Sequence, residues 1–541
     1  MSRQHESCDT SVSADRRSTL AFWLGCAAVA AGVLTHVPMF LMGRHNHYVL
    51  AGMPMGAGMM WGMAAIVLGV ALAAYGLLPR RTPGTAFEIE EIVPPEDAPL
   101  APRHWGVAGL LALALVIDIM KPASLGFVTP GMRAEYAIGS ATVAWLPLMA
   151  LAGTAVGSFV WGALADLYGR RAAILLSSVM FIGTSICGAM PSFWWNVGMC
   201  FLMGAAAGGM LPVAYALLAE IMPTRHRGWT LVLIGGIGAL GGFFAASAFS
   251  ALLQPTFGWR VMWLLNFPTG LLLVLLSPLL PESARYLQQM GRGAEARAML
   301  ARFGVVAVGT AARADHRPMP PAERDLIALT AALTLAALTW SVINFGVLLW
   351  LPSALVAEGR SVAAASALIA RSALLGAPLV LLSTWLYSAW STKGSLVAMI
   401  AIAACGLLGL GWGARHGGLP GGIAFDVTLL IVGSSGMISI LLPYAAENYP
   451  LRVRGRATGW IAGCSKLGGL AAQALSLAGA APALGAAALG TALPAVGALA
   501  LIARYGRETR LRDLRDLEHR PGASPATRQP AQERSKGLKP L

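Results

Sequence analysis

Apolar stretches of about 20 residues recur along almost the whole of this 541-residue chain, each long enough to cross about 30 Å of hydrocarbon. No soluble core has room for so many. In hydrocarbon every backbone amide must find its partner within the protein, which leaves helices or a closed barrel. The stretches are too long and too uniformly apolar for the alternating strands of a barrel. Charged residues make up 12% of the chain, roughly half the share usual in a soluble domain. The pattern predicts an all-α membrane protein.

Fourteen spans are expected, near 19–43, 48–78, 105–127, 141–165, 172–191, 193–221, 229–254, 260–281, 325–351, 361–388, 395–413, 420–446, 456–480 and 482–504. The first is long and lacks an A-x-A-like cleavage site, so it reads as a retained span rather than a signal peptide. The expected organisation is an N-terminus (1–18), an extra helix pair (19–78), a polar linker (79–104), a six-helix bundle (105–281), a second linker (282–324), a second six-helix bundle (325–504) and a tail (505–541). The tail is charged, contains proline and reads as disordered.

The formal net charge is +14, but its placement argues against nucleic acid as a partner. Arg170–Arg171, Arg225–Arg227, the 282–324 linker, Lys393 and Arg452–Arg456 all fall in loops on one side of the membrane. By the positive-inside rule that side is cytoplasmic, as are the linkers and both termini. Arginine far outnumbers lysine, and Ala and Gly abound. This is the usage of a GC-rich bacterial genome, so the expected location is a bacterial inner (cytoplasmic) membrane. The six cysteines form no CxxC pair and read as small apolar residues. No nucleophile–base pair, phosphate loop or metal-ligand spacing points to an enzyme or a cofactor.

An internal repeat carries the most information. EIMPTRHRG at 220–228 and ENYPLRVRG at 447–455 share E-x-x-P-x-R-x-R-G at one offset of 227 residues. Glu220, Arg225 and Arg227 thus map onto Glu447, Arg452 and Arg454. The two bundles read as pseudo-symmetric halves of a twelve-helix core, a transporter architecture with its substrate site between the halves.

Asp118, Lys121, Arg371 and Lys466 are charges that lie inside the apolar spans, well away from loops. A charge near the bilayer centre costs roughly 2.5–3.5 kcal/mol even on lenient scales, so these residues are expected to line an aqueous cavity. Asp118 and Lys121 are three apart and share a helix face, either as a self-neutralising ion pair or as part of a site. Three cations against one acid would favour an anionic cargo, with Arg371 able to grip a carboxylate in bidentate fashion. Trp340, Asn344, Tyr215 and Tyr444 are further candidate contacts. Trp350 reads as an interfacial anchor.

These features resemble the major facilitator superfamily, most of all its sugar porter and metabolite–proton symporter branches. GALADLYGRR at 162–171 is similar to the superfamily's loop between the second and third helices, with Asp166, Gly169, Arg170 and Arg171 at its key positions. PESARYLQQMGRGAEARAML at 281–300, with Glu282 and Arg285, resembles the segment that closes the sixth helix. FGWR at 257–260, NFGVLLWLP at 344–352 and GRETRLRDLRDLE at 506–518 fit further family positions. The second-half partner of GALADLYGRR has decayed to WSTKGS at 390–395.

The resemblance implies alternating access, with the clusters at Asp166–Arg171, Glu220–Arg227, Glu282–Arg285 and Glu447–Arg454 acting as a cytoplasmic gate. DIMK at 118–121 matches the D-G-x-D of proton-coupled relatives at its first acid only, which leaves Asp118 as the proton-coupling candidate. The expected function is proton-coupled uptake of a small organic anion. Sugar or polyol symport, metabolite export and a transporter-derived sensor are the alternatives. His36, His45, His47 and seven methionines crowd residues 35–63, but no metal is expected there. The extra pair is expected to pack on the flank of the core or to contact another subunit.

Overall fold

The computed structural model describes residues 2–78, 100–304, 324–416, 422–449 and 451–510, among which no strand occurs. Two early helices, α1 (Arg16–Asn46) and α2 (Ala57–Leu77), precede the rest. The first half follows as α3 (Pro102–Tyr136), α4 (Ser140–Tyr168), α5 (Arg170–Ala189), α6 (Phe193–Ile221), α7 (Arg225–Phe257) and the shorter α8 (Val261–Leu275). The second half comprises α9 (Leu326–Ala357), α10 (Val362–Trp390), α11 (Thr392–His416), α12 (Gly422–Asn448), α13 (Leu451–Leu477) and α14 (Leu484–Tyr505). Twelve of these are long and apolar enough to cross a membrane. The exceptions are α8, which is short, and α13, which carries Lys466 and Gln473. The protein is therefore multi-pass.

Two expected spans differ in extent. The second begins at Ala57 rather than near 48, because residues 47–56 form an irregular loop with Pro54 and a left-handed Gly52 (φ 77°). The eighth stops near Leu275, where a short 3-10 turn at Ser277–Leu279 brings in Pro278.

The first half packs around a core of its own, whereas the second half's core continues into the first through Met120 and Phe127 of α3, Leu151 of α4 and Leu240 of α7. The halves meet along α7 against α10 and α12, α3 against α9, and α4 against α13. At the end of the molecule where α3 finishes, the joint is tight. A Cβ on Gly126 of α3 would fall 2.6 Å from the Leu349 carbonyl of α9. Ser250 of α7 and Ser366 of α10 share a hydrogen bond of 2.7 Å, and the Gln254 amide donates to Ser250 at 2.9 Å.

The extra pair is joined by glycines at heptad spacing. A Cβ on Gly25 or Gly32 of α1, or on Gly76 of α2, would lie 2.5 Å from backbone of the opposite helix. Small residues let helix backbones approach where lipid supplies no hydrophobic drive. The pair lies against α5, as a flank position requires.

Its connecting loop also caps a buried ion pair. The amides of Leu50 and Ala51 donate to Glu135 at the end of α3, at 2.8 and 3.0 Å. Glu135 pairs with Arg260 at 2.5 Å, their side chains 5% and 0% exposed. Trp259 donates to the same carboxylate at 2.8 Å, and Arg260 donates onward to the Met190 carbonyl at 2.7 Å and the Tyr136 hydroxyl at 3.0 Å. One carboxylate thus ties together the extra pair, α3, the α5–α6 turn and the α7–α8 turn.

Candidate functional site

A cavity of about 250 Å³ lies between the halves. From the first half come Asp118 and Pro122 of α3, Thr154 and Ser158 of α4, and Phe243 of α7; from the second come Trp340, Asn344 and Phe345 of α9, Ser434 and Ser435 of α12, and Lys466 of α13. The walls are otherwise mostly Ala, Gly, Leu and Ile. Thr154, Ser158 and Ser465 donate their hydroxyl protons to backbone carbonyls, whereas the Ser434 hydroxyl has no partner among the described residues.

Local sequence explains how the second half presents its groups. Residues Ile343–Val347 form a π turn within α9, the kind of one-residue insertion that collects at functional sites. The loosened ladder is held from α13: the Gln473 amide donates to the Phe345 carbonyl, and the Gly469 amide donates to the Ser341 hydroxyl at 2.7 Å. A Cβ on Gly469 would fall 2.7 Å from Cβ of Phe345. The glycines of KLGG (466–469) thus let α13 close onto α9. That close approach aims Lys466 inward. Its ammonium lies 5.6 Å from the Phe345 ring and 6.0 Å from the Trp340 ring, within reach of a cation–π attraction. Trp340 is fixed by a 2.9 Å bond from its indole to the Ser434 carbonyl and packs edge-on against Phe345.

On α3, Pro122 has no amide to give to the carbonyl four residues back, which belongs to Asp118 itself. Asp118 is 8% exposed, and its Oδ1 has no hydrogen-bond partner among the described residues. One acid and one cation therefore face a common space from opposite halves.

The other expected cavity charges are placed elsewhere. Lys121 is 1% exposed and its ammonium packs on the Phe181 ring of α5, outside the cavity lining. Three residues along a helix is a turn of about 300°, so Lys121 sits about 60° away from Asp118, enough to face a neighbouring helix. Arg371 is exposed on the outer face of α10, in line with exposed Leu374, Leu375 and Leu381. The stripe points away from the cavity, whose lining does not include Arg371. Tyr215 is buried against Gly235 of α7, and Tyr444 donates to the Arg507 carbonyl at 2.7 Å; neither lines the cavity. The cavity so defined holds one cation, where three were expected.

At the end of the molecule opposite Glu135, Arg170 bonds Asp166 at 3.1 Å and Glu220 at 3.4 Å. Gly169, at φ 100°, adopts a backbone few other residues tolerate, and a Cβ there would strike the Glu282 carboxylate. Glu282 accepts from the amides of Arg171 at 3.2 Å and Ser283 at 2.8 Å, while Ser283 donates to Glu220 at 2.5 Å. Burial pushes the Glu282 carboxyl above its ordinary range, against the pull of these bonds.

The second half repeats the arrangement with different chemistry. Glu447 accepts from Tyr387 and Thr509, each at 2.7 Å. Glu508 accepts from Ser391 and from the amide and hydroxyl of Thr392, at 2.9 and 2.7 Å for the latter two. Burial alone would raise the Glu508 carboxyl, but these donors hold it down at about 2. WSTKGS, which looks decayed in sequence, keeps the hydroxyls that do this. A Cβ on Gly228 of α7 would lie 2.8 Å from the Glu447 carboxylate, so this cluster touches the first half. Arg225 and Arg227 open α7 beside it; the side chains of Arg285, Arg452 and Arg454 lie outside the described residues.

Among the described residues no three His, Cys, Asp or Glu side chains are grouped to hold a metal. Sequence reasoning missed Phe243, Phe345, Ser434, Ser435, Gln473 and the Glu135–Arg260 pair. Small hydroxyls and aromatics are ordinary in spans and carry no sequence signal.

Comparison with known proteins places these features. Residues 111–473 match the Major Facilitator Superfamily. The chain is 25% identical to the niacin transporter NiaP of Acinetobacter baylyi, over 70% of this chain and 87% of that protein. It is 29% identical to the 4-hydroxybenzoate transporter PcaK of Pseudomonas aeruginosa, over 69% and 85%, and 28% identical to the gallate transporter of Pseudomonas putida, over 69% and 85%. Its fold is similar to that of the proton:xylose symporter XylE, with a TM-score of 0.60 at 16% identity, covering 77% of this chain and 98% of that one. The chain belongs to the major facilitator superfamily of membrane transporters.

Proposed function

We propose that the protein carries an aromatic monocarboxylate, together with a proton, into a bacterial cell by alternating access. The observation that carries this reading is Asp118 facing Lys466 from the opposite half of an apolar, aromatic-walled cavity. Lys466 takes the carboxylate, and Trp340, Phe345 and Phe243 receive the ring. Asp118 takes the proton. At about 250 Å³ the space is below the roughly 300–1,000 Å³ of drug-sized pockets, which suits a single-ring acid. Niacin, 4-hydroxybenzoate and gallate, the cargoes named for the relatives, are all of this class.

The charges explain the coupling. Empty, the cavity holds an aspartate and a lysine cation, with no net charge. Loaded, it holds a neutral Asp118, the lysine cation and the cargo anion, again with no net charge. Proton alone or anion alone leaves one uncompensated charge in the membrane interior, costing roughly 2.5–3.5 kcal/mol. At 1.36 kcal/mol per factor of ten, such leak states are suppressed roughly a hundredfold. A proton moving with a monoanion is electroneutral, so each unit of pH gradient supplies about tenfold accumulation.

The positive-inside bias puts the Arg170 end and both termini in the cytoplasm, and the membrane is the bacterial inner membrane. The contacts of Gly126 with Leu349 and of Ser250 with Ser366 then belong to one gate and that of Gly228 with Glu447 to the other; both are made here, and alternating access breaks each in turn. The test is uptake by proteoliposomes of labelled benzoate, nicotinate, 4-hydroxybenzoate and xylose under an inward proton gradient. Accumulation of one or more of the acids, and not of xylose, is expected. Xylose uptake with no acid uptake would favour the sugar reading.

A further inference from the structure

A second chamber, of about 310 Å³, lies between the halves on the Glu135 side of the cavity. Its lining includes Thr129 and Arg133 of α3, Trp350 and Ser353 of α9, and Gln473 and Ser476 of α13, and no Asp or Glu is among its lining residues. Arg133 has no carboxylate partner among the described residues, whereas Arg260 nearby in the fold is fully paired with Glu135. Arg133 is exposed, so the chamber presents at its solvated mouth a guanidinium with no carboxylate partner, together with several hydroxyls and one indole ring.

Only a thin septum separates it from the cavity. Arg133 is 15 residues beyond Asp118 on α3, about 22 Å along the helix axis. Between them Gly126 closes against the Leu349 carbonyl. Leu349 lines the chamber and Phe345, one turn earlier on α9, lines the cavity. Gln473 spans the septum: it lines the chamber while its amide donates to the Phe345 carbonyl in the π turn. The floor of one compartment is the roof of the other.

We infer that this chamber is a second binding site for the carboxylate cargo, occupied before the α9 septum opens. It rests on the reading of the protein as an aromatic-acid carrier. Arg133 forms paired hydrogen bonds with the carboxylate, a geometry that planar guanidinium matches. Trp350 covers the ring with its indole face. Because the septum keeps the compartments apart, cavity and chamber hold cargo at the same time.

Two measurements on the full-length chain test this. In nanodiscs, labelled 4-hydroxybenzoate binds to the wild type with a stoichiometry near two, and to Arg133→Gln with a stoichiometry near one. In proteoliposomes, Arg133→Gln raises the ratio of outer-face to inner-face KM about five- to tenfold, as expected for losing one charge-assisted contact in a partly solvated site; Arg133→Lys recovers part of this. A wild type that transports the acid but binds one molecule, with an unaltered KM ratio in Arg133→Gln, overturns the chamber and leaves the carrier reading standing. A wild type that neither binds nor transports any of the acids overturns both.

Discussion

Glu135→Gln is expected to be the most damaging single-charge change outside the cavity. The substitution preserves shape, so its effect isolates the charge. Arg260 is fully buried, and without Glu135 its guanidinium becomes an uncompensated charge, at a cost of about 3–5 kcal/mol. The carboxylate also accepts from Leu50, Ala51 and Trp259, and an amide turned toward these donors cannot serve them all. The contributions share one group and do not add, so about 3–5 kcal/mol is the figure for the whole change. That is a large fraction of the roughly 5–15 kcal/mol typical of folded proteins. Cys187 and Cys200 are buried nearby in the first half, so a thiol-reactive dye reports unfolding in detergent. The midpoint should fall by several degrees, whereas Glu358→Gln, at an exposed position, should not change it. Pairing Glu135→Gln with Arg260→Met should recover much of the loss, because an apolar replacement removes the stranded charge. Coincident melting curves for Glu135→Gln and wild type would refute the reasoning.

Three further outcomes are expected. Lys466→Gln should raise the KM for aromatic acids roughly ten- to a hundredfold, the worth of a hydrogen bond to a charged group in a buried site, measured as initial uptake at saturating proton gradient. Arg371→Leu should leave that KM at the wild-type value, since Arg371 faces outward from α10; a large rise would place the side chain back among the cargo contacts. The Glu508 carboxyl is held at about 2 against an ordinary 4.5, so its contribution is present above pH 4.5 and is lost as pH falls toward 2. Glu508→Gln should accordingly speed proteolysis after Tyr505 at neutral pH, with the difference from wild type narrowing as the pH falls through that window.

The spans and the two-fold architecture were legible because length and apolar content are enough to define a membrane helix, and because E-x-x-P-x-R-x-R-G recurs at one offset. Asp118 and Lys466 stood out as charges whose cost in a membrane calls for an interior position, while Asn344 and Trp340 were only further polar and aromatic candidates; all four line the cavity. Rotational phase was not legible. Lipid and protein interior are both apolar, so a span has no polar face to report which side looks inward. Arg371 and Lys121 were misplaced for that reason. The π turn at Ile343–Val347 adds a residue that no periodicity anticipates, and it sets which α9 side chains reach the cavity. Glu135 and Arg260 lie 125 residues apart, at a helix end and in an inter-helix turn that sequence alone gives no reason to join. The hydroxyls of WSTKGS stand where the family pattern has other chemistry, so a motif search passes over them.

The central claim is that the proton rides on Asp118 while the cargo anion sits on Lys466. Asp118→Asn separates the two roles, because it keeps the side chain's shape and removes its titration. In proteoliposomes with an imposed pH gradient, the variant should lose accumulation of 4-hydroxybenzoate while still exchanging labelled for unlabelled acid at equal concentrations. Accumulation that still rises about tenfold per pH unit in Asp118→Asn would contradict the account.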